Sequence, residues 1–464
     1  MKNFKIVLIG GASMTWVPKL VGDVLLLDND ISGSEIALMD IDEERLNIMG
    51  QVTSRMVKEK NKDLKIKLYS DRRESLKDAD IVVSTCLIGG HETWCNDLNI
   101  VLKYGIQHPK GMSVGPGGLI QGLKNIPKIV EFAKDMEEIC PNAWLLNYTN
   151  PMQSISLALA NYSKIKSMGL CHGVTEGIEF ISEILGIEEE KLSYKAAGIN
   201  HCGWLLELKR GYADLMPDLR RKLDEIAPSL KARWEGREMV TREMWDTFGA
   251  YPLQADIHTV EFFPHYIEKN GRLEDYSLEH NYIEKRLLSR DKLWERVKKV
   301  AEGKLPTYAA IGGTANPKDA EEIHADTGHK SHEKIDELIN AIIYNKPNTL
   351  YINTINNGCI SNLPPDCCVE IPAYIDRSGL YGCYLGNLPD GIAGLMNTHA
   401  YIQKLTVKSA MEGSRELALE ALCLEPMCYS LKIDEIKSML NELIDSQPEW
   451  LPNFFNKDFK QRHN

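Results

Sequence analysis

The sequence contains no run of 18 apolar residues, no Cys-x-x-Cys pair and no excess of positive charge. The first absence excludes a helix that spans a membrane. The second bears on the eleven cysteines, which include adjacent Cys367 and Cys368 but form no regular framework. Such cysteines read as reduced thiols in a cytoplasm. The third absence, a formal net charge of -12, disfavours a nucleic-acid partner, because binding a phosphate backbone needs a basic face. A small substrate suits the charge better. There is also no internal repeat, low-complexity tract or Pro/Gly-rich linker. The apolar run Ile6-Val7-Leu8-Ile9 is too short for a secretory leader, and the glycines and Trp16 after it suit a nucleotide-binding turn better.

What is present is material for a large core. The chain has 464 residues, of which 43% are hydrophobic and 26% charged, and it exceeds the size at which single cores usually divide. In the first third, short β-rich apolar runs alternate with helical periodicity, as expected of βαβ units and a parallel sheet. Strands are predicted at Phe4 to Ile9, Glu35 to Met39, Leu64 to Tyr69, Asp80 to Thr85, Ala143 to Asn147 and Ser167 to Leu170. Between the second and third, Leu46, Met49, Val52 and Met56 share one helical face. After about residue 200 longer helical stretches take over, such as Ser331 to Tyr344 and Thr406 to Cys423, interrupted by short strands such as Val369 to Tyr374. The expected fold is α/β: a Rossmann-like, doubly wound parallel sheet over residues 1–200, followed by an α+β substrate and oligomerisation domain over 201–464.

Candidate functional residues lie where these strands end. Gly10-Gly11-Ala12-Ser13 puts small residues directly after a buried strand, where a backbone turns tightly toward a pyrophosphate at a helix N-terminus. Counted from Gly10, the other two glycine positions of the dinucleotide fingerprint hold Ala12 and Thr15, so an ordinary strand-to-helix turn also fits. Asp40 ends the second strand where an acid binds the adenosine ribose and repels a 2'-phosphate, which favours NAD over NADP. Asp42 could share that role, and an exposed loop acid is the plainer reading. Asn150-Pro151 is a candidate cis peptide that would turn the asparagine amide into the cleft. Cys171 and His201 follow apolar strands, and a thiolate with an imidazole can bind a borderline divalent cation. On chemistry alone, a buried structural cysteine and a satisfied histidine are the readier reading.

Taken in order, Gly10-Gly11-Ala12-Ser13, Leu38-Met39-Asp40-Ile41-Asp42, Val114-Gly115-Pro116-Gly117-Gly118, Asn147-Tyr148-Thr149-Asn150-Pro151-Met152, Cys171-His172-Gly173 and Gly198-Ile199-Asn200-His201 resemble the signatures of glycoside hydrolase family 4. Asn357-Gly358 and Asn362-Leu363-Pro364 extend the resemblance over nearly the whole chain. It implies a lactate/malate-dehydrogenase-like fold, an NAD that stays on the enzyme, and Mn2+ or another divalent metal held by Cys171 and His201. It also implies a redox route to hydrolysis: hydride leaves C3 of the sugar, a base takes the C2 proton, the aglycone departs from C1, water adds, and the hydride returns. These enzymes stand outside the usual two-carboxylate scheme.

The resemblance puts Gly10, Gly11, Ser13, Asp40 and Asn150 at the cofactor, and Asn150, His172 and His258 at the substrate. Asp256 is the expected base, with Tyr251 as fallback and His172 as a further catalytic group. Cys171-His172-Gly173-Val174 resembles the branch acting on unphosphorylated α-glycosides, of α-galactoside or α-glucoside type. The run from His258 to Glu261-Phe262-Phe263-Pro264 looks more like an α-uronidase. A 2-hydroxy-acid dehydrogenase and a non-catalytic nucleotide-sensing module are the readings from other classes. The expected setting is a cytoplasmic homo-dimer or homo-tetramer with a small sugar as partner and neither nucleic acid nor membrane.

Overall fold

A computed structural model of the chain describes residues 3–226, 238–267, 272–310 and 331–455. Thirteen strands among these residues form one mixed sheet. They are β1 (Lys5–Ile9), β2 (Ser34–Met39), β3 (Leu64–Tyr69), β4 (Ile81–Ser84), β5 (Trp144–Asn147), β6 (Lys166–Gly169), β7 (Ser193–Ile199), β8 (Cys202–Arg210), β9 (Ala213–Asp214), β10 (Tyr251–Pro252), β11 (Asn348–Ile355), β12 (Cys368–Ile375) and β13 (Leu380–Gly382). The path across the sheet is β10-β8-β7-β12-β11-β6-β5-β4-β1-β2-β3, with β13 beside β12 and β9 beside β8. The first six strands run parallel in the order 3-2-1-4-5-6, the order of a dinucleotide-binding fold. Its central strands are buried along nearly their whole length, which explains why they read as continuous apolar runs. All six predicted strands are present, to within one residue at each end.

The later strands do not build a second sheet. They join the free edge of the first through antiparallel pairs, and β11 and β12 stand between β6 and β7. The sheet is therefore continuous across residue 200, where the sequence suggests a boundary. Leu46, Met49, Val52 and Met56 are all buried on the helix Glu43–Glu59.

Two predicted helices differ from the structure. The stretch Ser331 to Tyr344 is helical only over Ile335–Ile342. The stretch Thr406 to Cys423 is two helices, Asp390–Glu412 and Arg415–Leu424. Gly413 at φ +66° ends the first, and the Ser414 hydroxyl accepts the Leu417 N–H at 3.2 Å to cap the second. A left-handed glycine followed by a serine cap stops one helix and starts another. Among the described residues, no helix is long and apolar enough to cross a membrane.

Candidate active site

The loop after β1 is held against β2. The N–H groups of Gly10 and Gly11 both donate to the Met39 carbonyl, at 3.0 and 2.8 Å. A Cβ on Gly11 would lie 2.6 Å from the Met39 nitrogen, so this approach of loop to strand needs glycine. The Ala12 N–H donates to Asp40 Oδ2 at 3.0 Å, and Asp40 Oδ1 accepts from the Asp42 N–H at 3.1 Å. Asp42 in turn caps the helix Glu43–Glu59 by accepting the Arg45 N–H at 3.0 Å. That division of labour separates the two acids: Asp42 starts a helix, and Asp40 closes the end of β2 beside the glycine loop.

One cavity of about 330 Å³ opens from this loop along the carboxyl ends of β4, β5 and β6 to the β7–β8 turn. Ser13, Asn150, Cys171, His172, His201 and His258 all line it. The Asn150–Pro151 peptide is cis. Asn150 Oδ1 accepts the Met152 N–H at 3.2 Å and lies 3.4 Å from the Ser113 hydroxyl.

Cys171 follows β6 by two residues. Its sulfur accepts the Gly173 N–H at 3.4 Å, a contact that favours a thiolate, while burial and then Glu370 push the thiol pKa well up. His201 occupies the two-residue turn between β7 and β8 with φ +64°. That conformation costs a non-glycine residue about 1–3 kcal/mol and collects at functional sites. Its Nδ1 pairs with the Ser113 hydroxyl at 2.8 Å. Burial, reinforced by His172 and Lys110, pushes its pKa down to about 3. A neutral imidazole with Nδ1 engaged leaves Nε2 to ligate. The His258 ring lies 4.0 Å from the His201 ring, centre to centre. His172 Nδ1 lies 3.4 Å from Glu333 Oε1, and its Nε2 lies 3.6 Å from Glu176 Oε1. Burial alone would disfavour charge on His172, but the two carboxylates outweigh it and raise its pKa.

The two expected bases lie elsewhere. Among the described residues, neither Asp256 nor Tyr251 lines the cavity. Asp256 is fully buried under the start of the helix Met239–Phe248, where Oδ2 accepts the Met239 N–H at 2.7 Å and Oδ1 the Thr241 N–H at 2.9 Å. Burial and the Glu238 carboxylate push its pKa up to about 8 against those N–H contacts. Tyr251 is also fully buried, and its hydroxyl donates to Glu238 Oε2 at 2.6 Å. Both are tied to the start of that helix.

Three residues at the site escape the sequence reading. Ser113 orients His201 and stands just before the Val114-Gly115-Pro116-Gly117-Gly118 motif, which was its only signal. Gln254 accepts the Gly203 N–H through Oε1 at 2.6 Å and lies beside Gly173. Glu333 is buried between His172 and Lys19, the latter at 3.8 Å. No strand-end pattern marks it.

The family model described as family 4 glycosyl hydrolase matches residues 5–187, and that of the family's C-terminal domain matches residues 196–428. The chain belongs to the family 4 glycosyl hydrolases. It is 31% identical to an α-galactosidase of Bacillus subtilis over 97% of this chain and 99% of that one. It is 27% identical to an α-galacturonidase of Thermoanaerobacter italicus over 97% and 98%, and 30% identical to a 6-phospho-α-glucosidase of Leptotrichia buccalis over 97% and 99%. The fold matches a solved 6-phospho-α-glucosidase from gut microorganisms, in complex with NAD and Mn2+, with a TM-score of 0.79 at 23% identity, over 97% of this chain and 99% of that one.

The donor set suits a divalent cation. A thiolate and a neutral imidazole match a borderline metal. Among the described residues no group of three or more His, Cys, Asp or Glu converges as a metal site, so a Cys171–His201 pair would leave most coordination positions to water and substrate oxygens. The glycine loop and Asp40 likewise suit a dinucleotide.

Proposed function

We propose that this family 4 glycosyl hydrolase cleaves unphosphorylated α-glycosides of galactoside or glucoside type, with NAD+ and Mn2+ or another divalent metal. The observation that carries the reading is a single cavity joining Ser13, at the end of the glycine loop, to Cys171, His172 and His201. Gly10, Gly11, Ser13, Asp40 and Asn150 would hold the dinucleotide, and Cys171 with His201 the metal. When bound, NAD+ would supply a hydride acceptor and the metal a positive charge that stabilises a developing enediolate.

The chain's own groups then move protons. His172, whose pKa Glu333 and Glu176 raise, is the acid for the departing aglycone oxygen. His258, its ring tilted against that of His201 at 4.0 Å, is better placed than Asp256 to take the C2 proton, because it lines the cavity. A panel of p-nitrophenyl α-glycosides, α-uronides and 6-phospho-α-glycosides, assayed with and without NAD+, Mn2+ and reductant, tests the reading. Turnover of an unphosphorylated α-hexoside that requires both additions supports it. Turnover confined to the 6-phospho sugars, or independent of NAD+, overturns it.

A second reading, an α-uronidase by the same route, has its own observation. Lys110 and Arg290 both stand on the cavity wall, where cations suit a sugar carboxylate. The same panel separates the two.

A further inference from the structure

A buried acid lies in the middle of the sheet with no structural task that requires its charge. Glu370, on β12, is 1% exposed. Its Oε1 accepts the Asn353 Nδ2 hydrogen bond at 3.1 Å, and its Oε2 has no hydrogen-bond partner among the described residues. A half-satisfied carboxyl in a sheet core is destabilising, and an apolar pair would pack there at lower cost. Its position gives a reason for its presence. The hairpin β11–β12 stands between the two strands that lead to Cys171 and His201, and it pairs with each at one residue only. Asn353 pairs with Gly169 of β6, two residues before Cys171, and Glu370 pairs with Gly198 of β7, three residues before His201. Asn353 and Glu370 face each other across the hairpin. Burial pushes the Glu370 carboxyl up to about 7, so a nearby cation is what would hold it ionised.

We infer that Glu370 is the outer charge partner of the cation held by Cys171 and His201, a positioning residue that supplies the second negative charge without touching the metal. The inference rests on the metal reading given above. One thiolate and one neutral imidazole leave a divalent cation with a net positive charge in a water-poor setting. A carboxylate fixed behind them neutralises it there, where Coulomb attraction is screened far less than in water. Asn353 holds that carboxylate in place through its amide.

The test is a titration of Mn2+ alone into the full-length protein, with free Mn2+ read from its electron paramagnetic resonance signal. Glu370→Gln keeps the shape of the side chain and an acceptor for Asn353 while removing the charge. It is expected to weaken Mn2+ binding about 10- to 100-fold, the size of effect typical of groups behind a metal's ligands, with NAD+ affinity and melting temperature unchanged. Glu370→Asp, which restores the charge, is expected to recover most of that loss. Wild-type Mn2+ affinity in Glu370→Gln overturns the inference, and so does an equal loss in the Asp and Gln variants, which would make shape rather than charge the cause. Cys171→Ser in the same titration separates the two levels. If it binds Mn2+ as tightly as the wild type, the metal site itself is misplaced. If it loses the metal while Glu370→Gln keeps it, only the role of Glu370 falls.

Discussion

The two halves of the sheet approach the cavity in different ways. In the parallel half, β1, β4, β5 and β6 each end in a loop at the same edge, and Ser13, Asn150 and Cys171 follow from that periodicity. In the antiparallel half, side chains arrive singly: His201 from a left-handed position in a two-residue turn, and His258 from the short helix Asp256–Thr259. A parallel sheet presents a row of strand ends suited to a long cofactor. The antiparallel addition places individual groups against it. The comparison teaches that the first half offers a row of strand ends along one cleft, while the second half brings His201 and His258 singly to the end of that row beside Cys171 and His172.

The sharpest way to break that division is at the seam. Cys171→Ser and His201→Ala are each expected to lower metal-dependent turnover by on the order of 10³-fold or more, as when preorganised charge is withdrawn from a developing anion. NAD+ binding, checked by fluorescence titration, should persist, because the glycine loop and Asp40 are untouched. Loss of NAD+ binding in both variants would show that the halves are not separable.

A smaller effect is expected at the base. Hydrolysis in D2O should give product carrying deuterium at C2, a bond that a two-carboxylate hydrolase never breaks. His258→Gln is expected to slow both exchange and hydrolysis about 10²- to 10⁴-fold. Asp256→Asn is expected instead to lower the melting temperature, through loss of a helix-start contact worth about 0.5–2 kcal/mol, while C2 exchange continues. Mass spectrometry of the product decides: exchange that survives in His258→Gln but stops in Asp256→Asn returns the role to Asp256.

Within the parallel half, Asp40→Ala is expected to weaken NAD+ binding by about 1.5–3 kcal/mol, the worth of hydrogen bonds to a charged group, and to narrow the preference over NADP+. Activity titrated against each dinucleotide measures both. Unchanged selectivity would take the ribose contact away from Asp40.

The smallest effect concerns a latch between the halves. Asp23, on the helix Val17–Leu25 that follows the glycine loop, accepts the Ser331 N–H at 2.7 Å and also binds its hydroxyl. Burial pushes its pKa up to about 6, against those two contacts. A folded-state pKa above the unfolded value of 3.8 means that the folded protein binds the extra proton. The contribution to stability is therefore present below about pH 4 and is lost as the pH rises through about 6, by at most about 3 kcal/mol. Asp23→Asn should flatten the decline in melting temperature across that window. An identical pH profile in the variant would remove Asp23 from the balance.

Legibility in the sequence follows the same division. The six parallel strands were readable because each is a short apolar run flanked by polar turns, and their strand-end residues came with them. The β7–β8 hairpin was not, because Asn200-His201 puts a histidine where two-residue turns usually show glycine or asparagine. Gly198-Ile199-Asn200-His201 therefore read as a strand end without a return strand. Asp256 stood in the right stretch of chain, two residues from His258, but sequence cannot tell which of two neighbours faces a cavity and which lies under a helix. Glu333 belongs to no periodic segment, and only the folded chain brings it to His172.

The hairpin β11–β12 also sets an order of events during synthesis. Until it emerges, β6 is an open edge of the sheet, and β7 has no route to its place beside the nucleotide half. The hairpin begins about 180 residues after β6 ends, which at ribosomal speeds of about 5–20 residues per second is a delay of roughly 10 to 35 s. During that interval the nascent chain carries a nearly finished nucleotide fold with an unpaired strand exposed, a template for pairing with other chains. A ribosome stalled before residue 348 would release a product that has both Cys171 and His201 and no means of bringing them together. Demand for a chaperone should be greatest in that interval, and truncations should divide sharply between those ending before β12 and those ending beyond it.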